Sequence, residues 1–368
     1  MALEFVSAMH ILTLNVGSST LKFGLYRVDA QTLDVLLSDI VHTTNPHEVI
    51  QEVATKITAS NLPMPDAIGH RFVHGGFKLR QHCLINDQVL QQLEEATAFA
   101  PLHNQKALAV IRATLAHFPG LPEAVCFDTT FHADLPDVAR TLPIAKVLQA
   151  EGIQRYGFHG LSCESILHQL GNTPPPRLIV AHLGNGASIT AIKDGKSIDT
   201  SMGLTPAGGV MMGSRSGDID PGVLIYLMRE KHYGVAQIEG LIDHNSGLLG
   251  ISGVSSDMRD LHKIADSNAD AKLAIEMFCY SVRKQIAGMI TALGGLDMLI
   301  FTGGIGEHDI EVRANICSGL ACLGINSESD HGSNVQVLMS QENEQIARHA
   351  WALLENHPAD IGFIEPRN

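Results

Sequence analysis

The apolar and polar positions at the start of the chain fall into three short runs, about residues 10–15, 21–28 and 34–41, before changing to helical spacing around 46–59. In the second run Leu21, Phe23 and Leu25 alternate with Lys22 and Gly24, the period of two that sends successive side chains to opposite faces of a strand. The pattern predicts three strands and then a helix. A strand-like AIGHRFVHGG comes next, then the helical pattern QVLQQLEEATAFA, which Pro101 is expected to end, and a further helix from about Gln105 to His117. The first half reads as mixed α/β.

After the Pro-rich NTPPPR the same order returns: apolar LIVAHLG, the glycine turn GNGAS, the alternating ITAIKDG and a third strand KSIDTS. Setting Gly17 on Gly186 also sets Ser19 on Ser188, an offset of 169 residues in a chain of 368. A duplicated domain explains this more economically than two unrelated hairpins. A third glycine-rich turn, in DMLIFTGGIGEH, comes after an apolar strand and precedes a helix predicted from Ile310 to Leu323. That arrangement aims helix-end N–H groups at an anion.

The gap between the first two strands holds Asn15, Ser18, Ser19, Thr20 and Lys22. Small hydroxyls, backbone amides and an ammonium are the donors that phosphate oxygens accept. The G-x-x-x-x-G-K-[ST] spacing of a P-loop is absent, and the turn leads into a strand and not a helix. The stretch therefore reads as a hairpin whose tip faces phosphate, or as an ordinary Gly-Ser turn. Gly304 and Gly306 form G-x-G without the third glycine of a dinucleotide fingerprint.

Length and 45% hydrophobic content suffice for two packed domains. The net charge of −14, from 25 basic and 39 acidic residues, argues against binding nucleic acid or an anionic membrane. An anionic substrate must therefore be met by a local basic cluster. Six scattered cysteines without C-x-x-C spacing suggest reduced, mostly buried thiols, and no apolar run has the length of a membrane span, so a cytoplasmic protein is expected. No structural role is expected for the leading MALEFVSA.

Five segments concentrate reactive side chains: GHRFVHGG, APLHNQ, FDTTFH, RYGFHG and MMGSRSGDIDPG. Arg71 lies inside an apolar strand-like run, where a guanidinium needs an anion or a carboxylate partner. Arg215 is flanked by small residues that let a ligand approach. Asp128 comes directly after the apolar AVCF, the usual place for a carboxylate at the end of a central strand, where it holds a metal, orients an arginine or caps a turn. His159, between Phe158 and Gly160, offers a neutral donor or a cation near neutral pH. Glu307 and Glu342 read, taken alone, as solvated or capping acids, although a magnesium nucleotide site needs few protein carboxylates. Basic groups, small donors and sparse carboxylates around phosphate are the inventory of phosphoryl transfer.

The order LNVGSSTLKF, GHRFVHGG, APLHN, FDTTFH, RYGFHG, HLGNGAS, KSIDTSMGLTP, MMGSRSGDIDPG, SSDMRD and FTGGIGEH resembles the acetate kinase family from end to end. The resemblance implies a duplicated actin-like (ribonuclease H-like) α/β fold with an interdomain active-site cleft. Its domains would be residues 1–150, with a C-terminal helix at about 343–368 packed on them, and a nucleotide-binding domain over 151–342. It implies reversible transfer of phosphate between ATP and acetate, with Mg2+ (or Mn2+) as cofactor and a homodimer as the assembly.

Carried over by resemblance, Arg71 and Arg215 bind the carboxylate and the transferring phosphoryl group, Asp128 is the essential acid, and His159 stabilises the transition state. Asn15 and Glu342 align with magnesium-linked positions. Ser18, Thr20, Lys22, His182, Asn185, Gly186, Asp257, Met258, Arg259, Gly304, Ile305 and Gly306 fall on the nucleotide side, and Val73, Leu102 and Pro206 line a pocket for the substrate's methyl group. The chain departs from the family pattern at Gln105, Cys163, Gly208, Met258 and His308. The alternatives are a propionate or butyrate kinase of the same family, and a non-catalytic nucleotide switch on the same fold.

Overall fold

A computed structural model describes residues 8–17, 20–42, 45–325 and 334–356, with only the backbone of Leu102. Two compact units are distinguished: the chain up to Ala133 with Gly160–Ser165 and the segment from Gln341 on, and Asp134–His159 with Ile166–Ser340.

The first unit is built on a six-stranded sheet. Strands β1 (Met9–Val16), β2 (Leu21–Val28), β3 (Leu33–Val41), β4 (Ala67–Phe72), β5 (Cys83–Leu84) and β6 (Glu123–Phe127) lie in the order β3-β2-β1-β4-β6-β5. β1, β2 and β3 form an antiparallel meander, while β1, β4 and β6 run parallel. Alternation along β1 divides its apolar side chains. Leu12 and Leu14 pack with Ile50, Val53 and Ile57 of the helix Pro46–Ala59, whereas Ile11 faces Ala347 and Ala350 of the helix Glu342–Asn356 on the other side. The latter helix comes close to β4 at a glycine: a Cβ at Gly69 would lie 2.7 Å from Ile346 Cγ2.

The second unit repeats this plan. Its strands β7 (Arg177–Leu183), β8 (Ala187–Lys193), β9 (Lys196–Thr200), β10 (Met298–Thr302) and β11 (Val335–Val337) lie in the order β11-β10-β7-β8-β9. Again a meander is followed by two parallel partners. The long helix Ala269–Leu293 buries Ala274, Phe278, Val282, Ile286 and Met289 and packs on this sheet. The duplication inferred from the glycine turns is therefore present in strand order and direction, but the offset shifts. Val16 pairs with Leu21 and Leu183 with Ala187 at the two hairpin ends, and the tip bonds are Gly17 N to Thr20 O and Gly184 N to Gly186 O. Gly17 thus corresponds to Gly184 and not to Gly186, because the second tip is one residue shorter.

Two helix boundaries also differ. Pro101 starts the helix Pro101–His117 as well as coming after the preceding one, since a proline at the first helical position needs no N–H partner there. The helix from Ile310 ends at Ser318, and Ala321–Leu323 is a separate 3₁₀ turn. All six cysteines are free, four of them buried. Among the described residues no helix is long and apolar enough to cross a membrane.

Candidate active site

Parallel strands deliver their C-terminal ends to one edge of a sheet, and ligands of open α/β sheets bind outside those ends. In the first unit this edge gathers Asn15 from β1, Arg71 from β4 and Asp128 immediately after β6. Arg71 Nε lies 3.1 Å from both carboxylate oxygens of Asp128, and its Nη2 lies 2.5 Å from Oδ2. Arg71 Nη1 donates to Asn15 Oδ1 at 3.2 Å, and Asn15 Nδ2 donates to Glu342 Oε2 at 3.0 Å. Glu342 opens the helix Glu342–Asn356, so the helix that covers one face of the sheet also brings an acid to its edge.

The electrostatics of this cluster are unbalanced. Asp128 is 1% exposed, and burial pushes its pKa up to about 6; Arg71 pulls against this, while the negative charges of Glu342 and Glu164 add to it. Burial disfavours the Arg71 charge as well, yet Asp128 and Glu342 push its pKa further above the usual range. Two carboxylates thus face one guanidinium. With the Asn15 amide they make a hard-oxygen, net-negative donor set, which fits a magnesium ion.

In the second unit His159 precedes the helix Gly160–Leu170 with φ 56° and ψ 29°, left-handed backbone that a non-glycine residue adopts at a cost. Its Nδ1 lies 2.9 Å from Ser188 Oγ, and its ring stacks on His182 at 4.1 Å. Gly186 keeps this corner open: a Cβ there would lie 3.2 Å from Arg215 Nη1 and 3.4 Å from His159 Nε2. Arg215 Nη1 reaches the carbonyl of Pro206 at 3.4 Å.

A cavity of about 860 Å³ opens in the same unit. Asn185, Asp257, Met258, Arg259, Gly304 and Ile305 line it, together with Gly184, Ser256, His262 and His308 through Glu311. Asp257 caps the helix Met258–Ile264 by accepting from Arg259 N at 2.9 Å, and the Arg259 side chain holds its carboxyl below the usual range. Gly303 has φ 78°, and a Cβ there would lie 2.8 Å from Leu183 O. Gly303→Ala is therefore expected to cost about 1–2 kcal/mol from the left-handed backbone alone, seen as a lower Tm and weaker ADP binding. An unchanged Tm would show that the turn relaxes freely.

Lys22 is exposed on β2 directly opposite Asn15, and Thr20 closes the tip of the first hairpin. Ser18 lies outside the described residues. Val73 is buried just after β4, and Leu102 lies in the first turn of the helix Pro101–His117. Gly306 is buried and does not line the cavity. Glu307 is a loop pin, accepting from Gly303 N and Ser340 N at 2.9 Å each.

Residues 42–349 match the acetokinase family. The chain belongs to the acetokinase family. It is 40% identical over 401 residues to an acetate kinase of Caldicellulosiruptor saccharolyticus, covering 94% of this chain and 100% of that protein. It is 38% identical over 405 residues to an acetate kinase of Nostoc punctiforme, covering 95% and 100%. Among solved structures, a propionate kinase from Francisella tularensis superposes with a TM-score of 0.84 at 35% identity, over 94% of this chain and 100% of that one. The Porphyromonas gingivalis acetate kinase gives 0.82 at 32%, again over 94% and 100%. A ROK hexokinase from Thermus thermophilus, at 0.51 and 13% over 95% and 100%, shares the duplicated actin-like fold alone.

Within this acetokinase, His262 is a cavity residue that the motifs did not mark, as are Asp309, Ile310 and Glu311. It pairs with Asp309 at 2.9 Å and lies 3.5 Å from Glu311. The signal was its spacing: it stands four residues after Met258, one turn along a single helix face.

Proposed function

We propose that the protein transfers the γ-phosphoryl group of ATP to acetate, reversibly, giving acetyl phosphate and ADP. The observation that carries this reading is the buried Arg71–Asp128 pair, tied through Asn15 to Glu342 at the strand ends of an acetokinase. A nucleotide switch has no use for a buried guanidinium and acid at a second edge.

A carboxylate oxygen of acetate attacks the γ-phosphorus in line with the bond to the β-phosphate oxygen. The new C–O–P link forms as that P–O bond breaks, and ADP carries the bonding pair away, so no covalent enzyme intermediate is needed. Arg71 holds the acceptor carboxylate, oriented by Asp128. Arg215 and His159 meet the equatorial oxygens as negative charge redistributes over them. Val73, Leu102 and Pro206 are the residues we assign to the methyl group. Ser18, Thr20, Lys22, His182, Asn185 and Gly186 serve the phosphates, and Asp257, Met258, Arg259, Gly304 and Ile305 the nucleoside side.

Asn15 and Glu342 would hold magnesium, which when bound neutralises charge on the phosphate oxygens. Arg71, Asp128 and Glu342 belong to the first unit, and the residues assigned to the nucleoside side to the second. Exposed apolar side chains such as Val223, Ile225 and Tyr226 on the helix Pro221–Glu230 support a homodimer, checked by light scattering.

Trapping the product with hydroxylamine tests the reaction: acetate, ATP and Mg2+ should give acetohydroxamate, and none without acetate. A rate series on formate, acetate, propionate and butyrate tests the acceptor. Acetate should lead, with propionate poorer but still used, because a methylene in a fixed apolar pocket changes discrimination by only about 1–3 kcal/mol. Val73→Ala should lower KM for propionate and butyrate more than for acetate. Butyrate leading in the parent, or an unmoved ranking in Val73→Ala, would refute this pocket.

A further inference from the structure

Behind the Arg71–Asp128 edge, still within the first unit, His82, Glu164 and His349 bring their polar atoms within 4.8 Å of one another. They come from the approach to β5, from the helix Gly160–Leu170 and from the helix Glu342–Asn356. His349 Nε2 lies 2.9 Å from Glu164 Oε2, His82 Nε2 lies 3.5 Å from Glu164 Oε1, and the two rings are 4.1 Å apart. Gln345, one turn before His349, also reaches its Nε2 at 3.0 Å.

Two imidazoles and a carboxylate are a ligand set for zinc. A further contact decides against that use. Phe127 N donates to His82 Nδ1 at 3.1 Å, beyond the last paired residue of β5, so the imidazole stands where a strand carbonyl would otherwise accept. A neutral ring that accepts at Nδ1 carries its proton on Nε2, the atom a metal needs free. That proton lies on a buried nitrogen 3.5 Å from Glu164 Oε1, close enough for charge attraction but without the geometry of a hydrogen bond. The Glu164 carboxyl is held ready to accept: burial raises its pKa, but the hydrogen bond from His349 and the nearby His82 ring prevail and lower it to about 2.

The three residues connect to both acids of the site. Phe127 immediately precedes Asp128. His349 lies two helical turns beyond Glu342 on the same helix. The apolar side of that helix, Ile346, Ala347 and Ala350, supplies non-directional packing that leaves sliding and rotation free, whereas charge-assisted hydrogen bonds fix a direction.

We propose that His82, Glu164 and His349 form a positioning clamp that seats Asp128 through the Phe127 amide and sets the register of the helix carrying Glu342, so that the divalent-cation site keeps its shape. This rests on the reading of Asn15 and Glu342 as the residues that hold the cation.

The test titrates Mn2+ into the full-length protein with ADP present and counts the free ion by electron paramagnetic resonance. His349→Leu should weaken Mn2+ binding about tenfold, the usual effect of losing a residue that orients a metal ligand. His349→Gln, whose amide still donates to Glu164, should restore most of it. Parental Mn2+ affinity in His349→Leu alongside a lowered Tm would overturn the clamp, as would equal losses in the Leu and Gln variants. Stoichiometric transition metal in the purified parent that is lost in His349→Leu would overturn it in favour of a metal centre. Glu342→Gln separates the two levels: no loss there overturns the cation reading and the clamp together, while a loss there with none in His349→Leu overturns the clamp alone. Absence of acetohydroxamate from a parent that binds Mn2+ normally would count against the proposed reaction and leave the clamp standing.

Discussion

Arg71→Ala is expected to lose turnover by about a hundredfold or more while the protein remains folded, the scale on which charged donors to a developing anion act in a water-poor site. The guanidinium makes three contacts to Asp128 and one to Asn15, so its planar fork is already aimed before substrate arrives. Removing it deletes the contact proposed to the acceptor carboxylate and also leaves Asp128 buried without its cation. Arg71→Lys keeps the charge but not the fork, and should recover only part of the rate. Steady-state hydroxamate formation, with circular dichroism to confirm folding, is the measurement. Parental turnover in Arg71→Ala would remove Arg71 from the mechanism and with it the acceptor site proposed at this edge.

Asp128→Asn is expected to cause a comparably large fall in turnover with little change in ADP affinity, because the cavity proposed for the nucleotide is lined by other residues. Its protonation supplies a second readout. The Asp128 pKa stands at about 6 in the folded chain against an ordinary 3.8, so folding takes up a proton between these values. The stability this contributes is fully present below the ordinary pKa and is lost as pH rises through the folded one. Asparagine has no proton to lose. The Tm of Asp128→Asn relative to the parent should therefore rise between about pH 4 and about pH 7, as the parent comes to bear an ionised buried carboxyl that the variant lacks. A pH-independent difference would mean that Asp128 is not under this burden, and near-normal turnover would reduce it to a turn cap.

Arg71 was legible as a candidate because an arginine inside an apolar strand needs a partner, and Asp128 because a carboxylate ended an apolar strand; the structure pairs the two. Neither pattern names the other residue. His82, Glu164 and His349 left no trace in the pattern at all: each is an ordinary polar position locally, and their meeting depends on how a helix from the far end of the chain lies on β4 and β6. His262 was readable only from its place one turn after Met258. Pro101 misled because proline ends a helix in its interior yet starts one at the first position, and local sequence does not say which applies.

The sequence by itself determined the strand meanders, the glycine turns, the duplication and the family, because periodicity and turn chemistry are local and a block order survives reading in one dimension. Only the tertiary structure decided the shorter second hairpin tip and the company of Arg71, which finds Asp128 at 57 residues' separation and Asn15 at 56, with Glu342 a further 327 from Asn15. Those meetings arise from parallel strands ending at one edge and from a C-terminal helix laid across the sheet. Strand register and helix docking depend on packing between distant segments, which no window of local sequence contains.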